Sequence, residues 1–158
     1  TPELFNFWLD LLENYSETYL WLLEPVGGAR RRLLELVKLR NIPRERIIFA
    51  PFAEQSQHIE RLKFIDIFMD TYPCVGHTTA TDVLFRNVPL VTIAGETFAS
   101  RVAASALFHI DCPELIAHSF EEYKKIIKKL IESPELRTEL RAKIQKNTEA
   151  KELFNTKK

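Results

Sequence analysis

Apolar positions along this 158-residue chain switch repeatedly between helical spacing and short continuous runs. Leu4, Phe7, Trp8, Leu11 and Leu12 form a helical stripe. Thr1 stands where it can cap that helix, with Pro2 at its first position and Glu3 in its first turn, which predicts a helix running to about Asn14. Tyr19 to Leu23 predicts a buried strand closed by Pro25 and Gly27-Gly28, and Leu33, Leu34, Leu36 and Val37 mark the next helix, ended by Asn41 to Pro43. The same reading gives a strand over Arg46 to Phe49, a helix over Gln55 to Leu62, a strand over Phe64 to Asp70, and a helix after Gly76 with Val83, Leu84 and Val88 facing inward. Pro89 to Ile93 predicts a fourth strand, Thr97 to Phe108 a helix, and Phe120 to Ile131 and Pro134 to Lys146 two more.

Strands and helices thus alternate, and the strands are continuously apolar rather than alternating. A strand buried on both faces has this composition, so the expectation is a doubly wound, Rossmann-like α/β fold with one parallel sheet between two helical layers. The length suits a single domain, residues 1–158, and no internal repeat or low-complexity segment is present. In such a sheet, ligands sit beyond the carboxyl ends of the strands.

Gly76-His77-Thr78-Thr79 falls at such an end, between an apolar strand and an amphipathic helix. The first amides of a helix lack intrahelical acceptors and carry the positive end of its dipole, so a diphosphate placed there would accept several hydrogen bonds. Thr78 and Thr79 add hydroxyls, and Asp82, four and three residues on, shares their face, where a carboxylate can hold a ribose diol. The plainer account is that threonines cap helices and that an acid near a helix start offsets the dipole. His58 and Arg61, one turn apart on the helix after the second strand, offer a ring to stack on a base and a cation for phosphate, although an exposed amphipathic helix also carries such residues. Gly95-Glu96-Thr97 repeats the plan of strand, turn and capped helix, with Thr97 as a structural cap. His109 and His118 have no partner pattern and are expected on the surface.

Lys plus Arg equals Asp plus Glu at 22 each, so no overall field draws the chain to nucleic acid or to an anionic membrane. From Glu121 onward there are eleven basic and seven acidic residues, an excess of four that a solvated helix face explains. Cys74 and Cys112 match no metal or redox spacing and fit cytoplasmic thiols. No apolar run reaches a membrane span, no signal segment opens the chain, and the start at Thr1-Pro2 without a methionine fits a piece of a longer protein. There is no Asp-x-Asp, His-x-x-x-His or cysteine cluster, so the expectation is metal-free chemistry in which amides, hydroxyls and cations stabilise a leaving diphosphate.

Several segments together resemble the carboxyl-terminal catalytic lobe of protein O-linked N-acetylglucosamine transferases, of a bacterial type. They are Arg46 to Pro51, His58 to Arg61, Asp70-Thr71, Gly76-His77-Thr78-Thr79 with Asp82-Val83-Leu84, Gly95-Glu96-Thr97 with Ala99 to Ser105, and Leu153-Phe154-Asn155-Thr156. The resemblance spans nearly the whole chain. It implies the second lobe of a GT-B enzyme that binds UDP-N-acetylglucosamine and transfers the sugar, with inversion and without a metal or cofactor, to Ser or Thr of acceptor proteins. The partners it implies are an amino-terminal lobe and tetratricopeptide repeats in the intact protein.

Carried over by position, the backbone around Ala53 to Gln55 and the His58 ring hold uracil with Arg61 nearby, His77, Thr78 and Thr79 meet the diphosphate, and Asp82 the ribose. The chain departs from the family at Gln55, where a lysine is usual, and at Glu54, where a proline is usual. The family's diphosphate-facing lysine falls before the first helix and its last helix after Lys158, so no catalytic residue is assigned within the chain, and the isolated chain is expected to be inactive. Two other readings stand beside this one: a related transferase with another hexose donor or an asparagine acceptor, and a non-catalytic module that binds sugar nucleotides.

Overall fold

The computed structural model describes residues 1–151 and 153–154. Asn155 and Thr156 of the last family-like segment, and Lys158, lie outside the described residues. The chain divides into two compact units, Thr1–Gln55 and Ser56–Lys158.

In the first unit α1 (Pro2–Asn14) begins as its sequence predicts, with the Thr1 hydroxyl accepting the Leu4 amide at 3.4 Å. Its apolar face buries Leu4, Phe7, Leu11 and Leu12, joined by Phe5 and Leu9, so the stripe is wider than the spacing alone suggests. Strand β1 (Leu20–Leu23) runs parallel to β2 (Ile47–Ala50), with α2 (Ala29–Leu39) as the crossover. Arg46, expected to open β2, instead ends a 3-10 turn over Arg44–Arg46. Its guanidinium donates to the carbonyls of Leu12 at 2.6 Å and Thr18 at 2.8 Å. A five-donor fork is well suited to the otherwise unpaired carbonyls where α1 ends.

The second unit carries most of α3 (Gln55–Arg61), then β3 (Phe68–Met69), α4 (Thr78–Phe85), β4 (Leu90–Ile93), α5 (Val102–His109), β5 (Ile116–Ala117), α6 (Phe120–Glu132) and α7 (Pro134–Ala150). Its strands lie in the order β3-β4-β5, all parallel, with Phe68 opposite Leu90 and Thr92 opposite Ile116. The order steps twice in one direction, and α4 and α5, the connections of those two steps, touch each other. All four residues of β4 are buried. Val83, Leu84 and Val88 point inward as expected, joined by Leu107, Ile110, Ile127 and Ile144. Each such side chain contributes about 1.5–3 kcal/mol of burial. Lys125, Lys128 and Lys129 are exposed on α6, so the basic excess lies on a solvated helix face.

Parallel pairing with intervening helices is the expected architecture, but the ladders form a pair and a triplet rather than one sheet. Two further boundaries and one strand also differ from expectation. Only Phe68–Met69 of the apolar run from Phe64 is strand, since Leu62–Phe64 forms a 3-10 turn and Phe64 is exposed. The helix expected from Thr97 starts at Val102, after a separate 3-10 turn over Phe98–Ser100. Strand β5 had no counterpart in the sequence reading, because two residues are too few to show a period.

Candidate functional site

Gly76 and Gly95 follow the carboxyl ends of β3 and β4, as the alternation of strands and helices predicts. The loop from Thr71 to His77 that joins β3 to α4 is built around Asp70, which is 2 % exposed. Asp70 Oδ1 accepts the amides of Gly76 at 2.7 Å and Thr71 at 2.9 Å, Oδ2 accepts the Thr92 hydroxyl at 2.7 Å, and the Asp70 carbonyl accepts the Tyr123 hydroxyl at 2.8 Å. Burial pushes its carboxyl above the ordinary range, against the pull of those hydrogen bonds and of His77 nearby. Gly76 is required by close approach. A Cβ there would stand 3.2 Å from Asp70 Oδ1 and 3.4 Å from the Ala80 amide nitrogen, crowding the turn into α4.

Beyond the glycine, α4 opens with His77 as its cap residue, and the cap makes no side-chain bond. Among the described residues the amides of Thr78, Thr79 and Ala80 find no acceptor, and the first amide bonded back is that of Thr81, to the His77 carbonyl at 3.3 Å. The hydroxyls of Thr78 and Thr79 are likewise unbonded among the described residues, whereas the Thr81 hydroxyl folds back to the Thr78 carbonyl at 2.7 Å. His77 and Thr78 are exposed and Thr79 is half-buried. The His77 ring meets the Ala99 carbonyl through Nε2 at 3.2 Å, and its plane lies edge-on to Phe98 with centroids 6.4 Å apart. A carbonyl only accepts, so Nε2 donates in that contact. Asp82 is half-buried one turn further along α4, and its carboxylate makes no hydrogen bond or ion pair among the described residues.

His58 and Arg61 sit together on α3, both half-buried, with Arg61 Nε donating to His58 Nδ1 at 3.2 Å. That bond places the His58 proton on Nε2. The end of α3 is tied to the end of α4 by Glu60 and Arg86, 3.3 Å apart. Ala53, half-buried, and Gln55, exposed, follow β2 and belong to the first unit. The second unit therefore gathers Gly76, His77, Thr78, Thr79 and Asp82 at one helix start, and pairs His58 with Arg61. His109 and His118 are exposed as expected.

The sequence reading missed the role of Asp70, although an acid closing an apolar strand was a visible signal. It also missed the turn that carries Phe98 and the Ala99 carbonyl to His77, for which the residues gave no sign. There Thr97 and Ser100 bond reciprocally, the Thr97 amide donating to Ser100 Oγ at 3.1 Å and Ser100 Oγ lying 2.9 Å from Thr97 Oγ1.

Among the described residues no three His, Cys, Asp or Glu side chains cluster as metal ligands would, and no helix is long and apolar enough to cross a membrane. The chain is 33% identical over 156 residues, 99% of its length, to a Caenorhabditis elegans UDP-N-acetylglucosamine--peptide N-acetylglucosaminyltransferase. It is 35% identical over 146 residues, 89% of its length, to the probable enzyme of that name, SEC, from Arabidopsis thaliana. These stretches are only 14% and 15% of the two relatives. A solved Thermobaculum terrenum O-GlcNAc transferase carrying a K341M substitution superposes with a TM-score of 0.84 at 26% identity, over 95% of this chain and 29% of that one. The likeness bears out the α/β fold, and the model of Glycosyl transferase family 41 matches residues 1–158, so the chain belongs to that family.

Proposed function

We propose that this chain is a single nucleotide-sugar-binding domain, the second lobe of a GT-B, inverting, metal-independent glycosyltransferase that moves N-acetylglucosamine from UDP to Ser or Thr of proteins. The observation that carries the reading is the start of α4, where, among the described residues, three amides without acceptors, two hydroxyls without partners and an unpaired carboxylate one turn on share one edge of the sheet. Amides and hydroxyls suit the oxygens of a diphosphate, and the carboxylate suits a diol.

In that role the bond from the anomeric carbon to the diphosphate oxygen breaks, UDP leaves with the electron pair, and the acceptor hydroxyl, passing its proton to solvent, bonds the carbon from the opposite face. Charge grows on the leaving diphosphate, so fixed donors such as the Thr78, Thr79 and Ala80 amides act where they lower the barrier. His58 and Arg61, with the backbone around Ala53 and Gln55, are assigned to the uracil end, His77 to the diphosphate and Asp82 to the ribose. The acceptor proteins, an amino-terminal lobe and tetratricopeptide repeats complete the proposed enzyme. A cytoplasmic setting suits its two free cysteines.

Binding isotherms of the full-length protein with UDP, UDP-N-acetylglucosamine, UDP-glucose and GDP-fucose test this reading. Tightest binding of UDP-N-acetylglucosamine supports it, preference for UDP-glucose moves the assignment to another hexose donor, and failure to bind any UDP compound overturns it. Exposed Gln55, where the family has a lysine, is the position that gives the donor comparison its point.

A further inference from the structure

The Asp70 carboxylate has no place in the ligand contacts assigned above, yet it is the most thoroughly bonded buried acid of the second unit. It sits at the end of β3, directly under the loop that leads to α4, and both its oxygens are in use. Oδ1 ties together the two ends of that loop, at Thr71 and at Gly76, while Oδ2 is held by Thr92 on the central strand β4. The carbonyl of the same residue is held by Tyr123 of α6, and its amide donates to Val91 at 2.9 Å, so the residue is fixed from three elements.

Such a clamp sets the position of Gly76 relative to the sheet. His77 and the free amides of Thr78 and Thr79 follow immediately, and their aim depends on where Gly76 is held. An acid is well matched to the task because one oxygen accepts two amides at once while the other takes a hydroxyl. Asparagine in the same rotamer preserves the pattern, since its carbonyl still accepts both amides and its NH2 group donates to the Thr92 oxygen.

We propose that Asp70 is a positioning residue for the diphosphate site: by joining Thr71, Gly76 and Thr92 it fixes the loop that presents His77 and the first amides of α4 to the anion. This inference rests on the reading of α4 as a diphosphate site. It touches no substrate and acts through the loop alone.

The test compares Asp70→Ala, Asp70→Asn, Thr92→Val and, as a control in the core away from the loop, Leu130→Ala, all in the full-length protein and all well below their melting temperatures. The readouts are the Kd for UDP and amide hydrogen exchange over residues 71–80. Asp70→Ala is expected to weaken UDP by about tenfold or more, equivalent to about 1.4 kcal/mol or more, and to speed exchange in the loop. Asp70→Asn should recover both to near wild-type values. Leu130→Ala should lower the melting temperature while leaving UDP affinity and loop exchange unchanged. If Asp70→Ala does not fold, Thr92→Val, which frees only Oδ2, should still give a few-fold loss of affinity and faster loop exchange.

Unchanged affinity and loop exchange in Asp70→Ala or Thr92→Val, or equal losses in Leu130→Ala, overturn the proposal. A wild-type protein that fails to bind UDP overturns the functional reading instead, and the exchange data then still decide whether Asp70 fixes the loop.

Discussion

Gly95 lies so close to Ser100 that a Cβ added to the glycine would stand 2.3 Å from the Ser100 Oγ and 2.6 Å from its Cβ. Ser100 has nowhere to retreat. It is buried, its hydroxyl donates to the Thr97 carbonyl at 2.9 Å, and its own carbonyl accepts the Gly95 amide at 3.0 Å. Gly95→Ala should therefore destabilise the protein by about 1–3 kcal/mol, the usual cost of forcing extra volume into a packed site. Urea unfolding of the single variant and of Gly95→Ala with Ser100→Gly checks the cause, because removing the Ser100 side chain should return part of the loss. A double variant no more stable than Gly95→Ala alone would place the strain elsewhere.

What the sequence revealed and what it concealed divide along physical lines. The cap at Thr1, the inward positions Val83, Leu84 and Val88, and the placement of Gly76 and Gly95 at strand ends were legible, because periodicity and capping act within a few residues of one another. The clamp on Asp70 was not, since its partners Thr92 and Tyr123 are 22 and 53 residues away and meet it only when the sheet forms. Phe64 misled because a strand-like apolar composition says nothing about exposure, and its ring faces solvent. The grouping of Thr78, Thr79 and Asp82 was legible because helix geometry alone puts them on one face. That Thr81 turns its hydroxyl back to the Thr78 carbonyl, leaving the hydroxyls of Thr78 and Thr79 unbonded among the described residues, is set by side-chain rotamers that periodicity does not encode.

The two thiols should behave as different chemical species. Cys74 is exposed, whereas Cys112 is wholly buried and burial pushes its thiol up to about 11 from the usual 9.0. Burial and the raised value together keep the Cys112 thiol unreactive in the folded protein, whereas Cys74 is open to reagents. Peptide-level labelling with a maleimide in native buffer should modify Cys74 promptly and Cys112 only as the protein unfolds, so that urea raises the two rates very differently. The folded state holds the Cys112 proton more tightly than the unfolded chain does, so stability falls as pH rises from about 9 towards 11. Cys112→Ala should flatten that alkaline fall, and an equally steep fall in the variant would assign it to other groups.

Asp70 gives an acid-side counterpart. Burial raises its carboxyl above the ordinary 3.8, so between that value and its folded-state value the native protein binds more protons than the unfolded chain. Stability from this group is present below the unfolded value and is lost as pH rises through the folded one. Asp70→Asn keeps the hydrogen-bond pattern without the charge, which isolates the effect. The free energy of unfolding of wild type minus that of Asp70→Asn, taken from urea melts at several pH values between about 3 and 7, should decline with rising pH and then level off. A difference that grows with pH would mean that the bonds from Gly76, Thr92 and Thr71 outweigh the cost of burying the charge.

Asp82 separates ligand binding from helix stability most directly. It lies four residues after Thr78, on the second turn of α4, and its carboxylate makes no hydrogen bond or ion pair among the described residues. Its contribution to the fold is confined to the helix dipole, which beyond the first turn is worth less than about 1 kcal/mol. If it holds the ribose diol through charge-assisted hydrogen bonds, Asp82→Ala should remove about 1.5–3 kcal/mol of binding energy. UDP affinity in the full-length protein should then drop by about one to two orders of magnitude while the melting temperature hardly moves. Asp82→Asn should fall between, because an amide can still bond one hydroxyl without the charge. The opposite pattern, with a lowered melting temperature and intact UDP affinity, would make Asp82 a helix-stabilising acid and remove the ribose from this end of the site.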